Sequence, residues 1–146
     1  MSFFGALDTA ASGLTAQRLR LDVISQNMAN ANTTRTENGG AYKRKTVVFE
    51  QVQNDANSFS SILNKKQQSG NNGVRVAKIV EDESQGTLVY DPGHADANAE
   101  GYVEMPNVNI VDEMVNMISA SRSYEANINS FNSMQAMFTK ALEIGK

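Results

Sequence analysis

The sequence predicts an α+β fold in which long helices at the two ends pair as a coiled coil, with a small β-rich insert between them. Three observations carry this. Apolar residues recur at alternating steps of four and three at both ends, β-branched and aromatic runs cluster in the middle, and charge is concentrated there too.

The first element is a helix over residues 1–34. Phe3, Leu7, Ala10, Leu14, Gln17, Leu21, Ile24, Met28 and Ala31 form the heptad row, with Gln17 its polar member. Ser2 is placed to cap its start, and Asn30-Ala31-Asn32-Thr33-Thr34 to stop it.

The middle, 35–106, reads as the β-rich insert. Residues 42–52 (Tyr-Lys-Arg-Lys-Thr-Val-Val-Phe-Glu-Gln-Val) are rich in β-branched and aromatic types and predict a strand, as do 74–80 and 87–90. Asn38-Gly39-Gly40 and Asn71-Asn72-Gly73 are turn signals, since these residues tolerate positive φ. The Asn-, Ser- and Gln-rich stretch 53–68 predicts a mobile loop or a short helix.

The last element is a helix in residues 107–146. Ile110, Met114, Met117, Ser121, Tyr124, Ile128, Phe131, Gln135, Phe138, Leu142 and Gly145 repeat the heptad pattern. A second row, Val111, Val115 and Ile118, then Met134, Met137 and Ala141, widens the stripe, so this helix wants more than one neighbour. Asn109 reads as its N-cap with Asp112 completing a capping box, and Pro106 ends what precedes it.

Residues 1–32 carry four charges and 107–146 carry seven, against eighteen in the segment between. The non-apolar positions of the ends are filled by Asn, Ser, Gln, Thr and Ala, which pack at protein surfaces without the cost of desolvating a charge. Each helix would be about 45 Å long at roughly 1.5 Å per residue, more than a small insert can cover. Much of each stripe must therefore meet the other end of the chain or other subunits. An ordinary intramolecular helical hairpin is the competing reading, and pattern alone does not choose between them. If a free chain cannot bury the stripes, its ends should be partly disordered until assembly.

Several functions lose support. The net charge of −3 gives no basic footprint for nucleic acid, and zero cysteines remove disulfides, thiolate metal sites and a thiol nucleophile. There is no basic, apolar leader and no run near the roughly 18 apolar residues of a membrane span, which taken alone points to a soluble cytoplasmic chain. His94, the single histidine, lies in the turn Asp91-Pro92-Gly93-His94 without the partners that catalysis or zinc requires. Asp96, Asn98 and Glu100 before Gly101 imitate half a calcium loop, but Asn107 stands where the closing Glu belongs. Lys43, Arg44 and Lys45 read as a solvated strand edge, and the methionines as helix packing. No catalytic, metal-ligating or cofactor-binding residue is expected.

Ala11-Ser12-Gly13-Leu14 followed by Asp22-Val23-Ile24-Ser25-Gln26-Asn27-Met28-Ala29-Asn30-Ala31-Asn32-Thr33 resembles the signature of bacterial flagellar axial proteins. Asn107-Val108-Asn109-Ile110-Val111-Asp112-Glu113-Met114, then Ser119-Ala120-Ser121-Arg122-Ser123-Tyr124-Glu125-Ala126-Asn127, resembles the other end of that group, in the right order. The short length, Tyr90-Asp91-Pro92-Gly93-His94 and Glu100-Gly101-Tyr102-Val103 are similar to its proximal rod members, although Ala95 stands where proline is usual.

The resemblance implies a structural, non-enzymatic subunit exported through the flagellar type III apparatus without signal cleavage and built into the rod that crosses the periplasm. This replaces the cytoplasmic expectation. Implied partners are copies of itself, proximal and distal rod subunits, a rod-to-ring adaptor and the export apparatus, with no nucleic acid and no direct membrane insertion. A secretion-associated helical adaptor or chaperone is the alternative. The expected assembly interface is Leu7, Leu14, Leu21, Ile24, Asn27, Met28 and Asn30 from the first helix. From the last it takes Met114, Met117, Ile118, Tyr124, Ile128, Phe131, Phe138 and Leu142. For Asn27 and Asn30, capping of the helix end and amide bonds to adjacent subunits both stand.

Overall fold

The computed structural model describes residues 3–37, 39–52 and 73–144. Ser2, Asn38, Asn71, Asn72, Gly145 and the stretch 53–68, each given a role above, lie outside the described residues.

The order is α1 (Phe3–Ala29), β1 (Lys45–Gln51), β2 (Val74–Glu81), β3 (Leu88–Tyr90), β4 (Tyr102–Glu104) and α2 (Ile110–Ile144). The two long helices with a small β insert are those expected, and β4 is an addition. Asn109 caps α2 as read: its Oδ1 accepts the Val111 N–H at 3.0 Å, while Asp112 and Glu113 put negative charge in the first turn, at the positive end of the helix dipole. α1 ends differently from a left-handed Asn cap, since no non-glycine among the described residues has positive φ. Instead Asn30 Nδ2 donates back to the Gln26 carbonyl at 2.9 Å, and Asn30 Oδ1 accepts from Thr33 Oγ1.

The helices run antiparallel, because Asn27 meets Glu113 while Gly13 faces Asn127. A Cβ on Gly13 would lie 2.9 Å from Asn127 Nδ2, so the missing side chain permits the close approach. The buried positions on α1 are largely small: Ala10, Gly13 and Ala16, then Val23, Ile24 and Asn27. On α2 only Glu113 and Ala120 are buried. In each helix much of this row lies one residue before the expected heptad row. Two adjacent rows are nearly equally apolar, and the small residues decide the seam by letting the backbones come together.

β1 and β2 pair antiparallel from Lys45↔Glu81 to Gln51↔Val74, with a bulge that leaves Ala77 unmatched between Val48 and Phe49. This hairpin lies along α1: Lys45 meets Asn27 at one end, and at the other the Val74 N–H donates to Ser12 Oγ at 3.1 Å. β3 and β4 form a second, three-residue hairpin with Val103 buried and the Tyr90 and Tyr102 rings edge-on at 5.3 Å. Gly39 and Gly40 adopt positive φ (79° and 81°), as the turn signal anticipated.

Candidate functional site

The helix pair divides into a sealed junction and two open apolar stretches. At the junction, Asn27 and Glu113 are completely buried. Asn27 uses every hydrogen-bonding position of its amide. Nδ2 donates to the Lys45 carbonyl at 2.8 Å and to Glu113 Oε2 at 2.9 Å, while Oδ1 accepts from the Lys45 N–H at 2.9 Å and from the Tyr42 hydroxyl at 3.0 Å. To β1 the amide thus looks like the backbone of a neighbouring strand.

Glu113 needs a positive partner in such a site, since an isolated buried carboxylate is costly. Arg44 supplies it, with Nε at 2.9 Å and Nη2 at 2.8 Å from Oε1, and Asn116 Nδ2 adds a longer contact at 3.4 Å. Asn107 fastens the adjoining turn: its Oδ1 accepts the Arg44 N–H at 2.7 Å, and its Nδ2 donates to the Asp82 and Ser84 carbonyls. Burial first, then the Glu81 and Glu113 charges, hold the Tyr42 hydroxyl above its ordinary pKa of 10.0, so it stays protonated and donating. α1, β1 and the start of α2 are locked together at one point.

Two sequence readings are corrected here. Asn27 is neither a helix cap nor a bond to an adjacent subunit; its four hydrogen bonds are all spent inside the chain. Arg44 is not a solvated strand-edge cation but the counter-charge of Glu113, whereas Lys43 is exposed as read. The pairing of Arg44 with Glu113 is not visible in the sequence, because residues 69 apart give no local sign that they meet.

The remaining candidates sort by position. Ile24 is buried at 5% exposure, so it packs within the chain instead of offering itself to a neighbour. Leu7, Leu14, Leu21 and Met28 on α1 and Met117, Tyr124, Ile128 and Phe131 on α2 are half-buried along the helix pair. Asn30 is half-buried and occupied in capping.

Met114, Ile118, Phe138 and Leu142 are exposed and belong to two uncovered stretches. One comprises Ile110, Val111, Met114, Val115 and Ile118 at the start of α2. The other comprises Met137, Phe138, Leu142 and Ile144 at its end.

The segment that imitates a calcium loop is used otherwise. Asp96 accepts from Thr34 Oγ1 at 2.8 Å and pairs with Arg35, and Asn98 Oδ1 accepts the Glu100 and Tyr102 N–H groups. Among the described residues no group of three or more His, Asp or Glu side chains is placed to hold a metal ion.

A helical hairpin that leaves two apolar stretches of α2 exposed, with its β insert locked on by a buried polar junction, has the build of a structural subunit. Residues 7–35 match the family described as flagella basal body rod protein, and residues 99–144 match the flagellar basal body rod FlgEFG protein C-terminal family. The chain is 53% identical to the flagellar basal-body rod protein FlgC of Bacillus subtilis over the full length of both. It is 48% identical to that of Borreliella burgdorferi over 99% of this chain and 98% of the relative, and 40% identical to that of Escherichia coli O157:H7 over both full lengths. The chain belongs to the FlgC family of flagellar basal-body rod proteins.

Proposed function

We propose that the chain is a structural subunit of the flagellar basal-body rod, in its proximal part, where many copies and related rod subunits stack through their helix pairs. The observation that carries this is the uncovered apolar surface of α2. Val111, Val115 and Ile118 are 66%, 62% and 55% exposed, and Leu142 and Ile144 are 60% and 86% exposed, on a helix with few charges. Contiguous exposed patches of this kind mark interaction surfaces. One heterologous contact repeated without closure gives an open helical tube, the form a rod requires.

In this reading the half-buried rows of α1 and α2 and the two uncovered stretches of α2 are the assembly interface, with residues 35–106 carried as an insert on the helix pair. Torque passes through packed contacts, which resist shear because side chains must leave their packing sites before subunits slide. The junction at Asn27 and Glu113 keeps the insert from swinging against the helices under that load. The partners are other rod subunits of the proximal and distal segments, a rod-to-ring adaptor, and the export apparatus that delivers the chain without signal cleavage. The role is mechanical, with no reaction and no cofactor.

The test is electron microscopy of basal bodies from a strain lacking the gene, together with fractionation of the wild type. A truncated or absent rod, with the protein co-purifying with basal bodies, is expected. A complete rod in the deletion strain would refute the structural role, and a small soluble complex absent from basal bodies would favour the adaptor.

A further inference from the structure

Each two-stranded sheet has two outer edges, and an unpaired edge is a template for another strand unless something blunts it. Three of the four edges are blunted. On β1, the outward N–H and C=O of Lys45 are both taken by the Asn27 amide. On β2, the bulge at Ala77 and the charged Arg75 and Lys78 interrupt the row. On β4, Asn98 closes the edge: its N–H donates to the Tyr102 carbonyl at 2.9 Å and its Oδ1 accepts the Tyr102 N–H at 2.9 Å.

β3 has none of these devices. The bonds Met105 N–H to Thr87 O and Asp91 N–H to Gly101 O flank the pairing Leu88↔Glu104, Val89↔Val103, Tyr90↔Tyr102. Antiparallel alternation then makes Val89 and Val103 the hydrogen-bonded pair and turns the N–H and C=O of Leu88 and Tyr90 outward. Among the described residues none of these four groups has a partner. The side chains at the same two positions are large, apolar and exposed, Leu88 at 63% and Tyr90 at 65%. No charge, proline or bulge lies in the strand.

The surroundings state what the occupant must be. Residues 81–104 contain seven carboxylates and no lysine or arginine. Glu81 and Asp96 are paired with Lys45 and Arg35, but Glu104, opposite Leu88, and Asp91, just after Tyr90, have no ion pair among the described residues. An extended segment lying along β3 would gain main-chain hydrogen bonds from Leu88 and Tyr90, apolar contact with their side chains, and charge pairing if it carried Lys or Arg at its flanks. We propose that the β3 edge is a strand-docking site for an extended, basic-flanked segment of a neighbouring rod subunit. This rests on the rod reading above and adds a second contact, outside the helices.

The chain has no cysteine, so Leu88→Cys introduces a single thiol at the edge. Basal bodies carrying this variant and the purified free chain would be treated with a hydrophilic maleimide, and the basal bodies also with a thiol-to-amine cross-linker. Labelling should be lost in basal bodies while the free chain reacts, and the cross-link should join the thiol to a lysine of another rod subunit. Equal labelling in both, with the chain present in the basal bodies, would overturn strand docking and leave the rod role intact. Absence of the wild-type chain from basal bodies would overturn the rod role itself. As a second arm, Leu88→Pro removes one outward N–H without touching the Val89–Val103 bonds. It should keep the circular dichroism of the parent yet fail to enter the rod, and normal incorporation of a folded Leu88→Pro chain would also overturn the proposal.

Discussion

The two ends of the helix pair share one heptad pattern and meet opposite fates. Where the end of α1 meets the start of α2, Val23, Ile24, Asn27, Glu113 and Ala120 are buried and the polar groups among them are saturated with partners. Where the start of α1 meets the end of α2, Phe4 is 71% exposed and no residue of α2 beyond Ala120 is buried. The first end encloses a saturated polar junction while Ile110, Val111, Met114, Val115 and Ile118 of the same α2 segment stay exposed, and the second end buries no side chain of α2 at all. Identical periodicity therefore accompanies both buried and exposed apolar rows in one helix. What separates them is which neighbours the β insert and the small residues of α1 bring within reach.

This contrast can be broken experimentally, and the largest effect should be a gradient of amide exchange in the free chain. Amides around Ala120 should open only with global unfolding, on the order of 5 kcal/mol or more for a domain, while those beyond Phe138 should approach zero. Uniform protection along α2 would erase the distinction.

Next, Glu113→Ala should lower the stability of the free chain by about 3–5 kcal/mol, because Arg44 and the Asn27 amide lose their buried partner. Denaturant unfolding measures this, and a loss below about 1 kcal/mol would mean that the junction is not closed as described.

Tyr42→Phe should cost about 1 kcal/mol, one hydrogen bond to Asn27. It also carries a pH signature. The folded state holds this hydroxyl's pKa above 10.0, so its contribution is complete below pH 10 and is lost as pH rises through the folded value. The variant should lack that part of the alkaline fall.

Smallest in the free chain, Leu142→Asp should change stability by no more than about 0.5 kcal/mol, since the site is already exposed. Its incorporation into rods should nevertheless be lost, because assembly would bury the new charge. Normal rods with Leu142→Asp would show that the open end is not an interface.

The helices were legible because a seven-residue period survives in any environment, and Asn109 announced the start of α2 by its position before an apolar row. The first three strands were legible from β-branched runs. β4 was not, since Tyr102–Glu104 is three residues long and is set by Asn98 and Gly101 in the preceding loop. The seam lies one residue from the heptad row because Gly13, Ala16 and Ala120 are small enough for the backbones to approach, a property that apolar periodicity does not display. The junction was the least legible part. A polar residue such as Asn27 inside a helix has a local explanation ready, and nothing near it in sequence identifies Glu113, 86 residues away, as the group it touches.

That saturated amide also bears on how the molecule ages. Spontaneous hydrolysis of Asn27 to aspartate would replace two donors by acceptors and set a carboxylate where Nδ2 now lies 2.9 Å from Glu113 Oε2. A loss of one amide nitrogen would turn the joint into two repelling anions. Complete burial, by keeping water and backbone movement away from this side chain, disfavours that reaction.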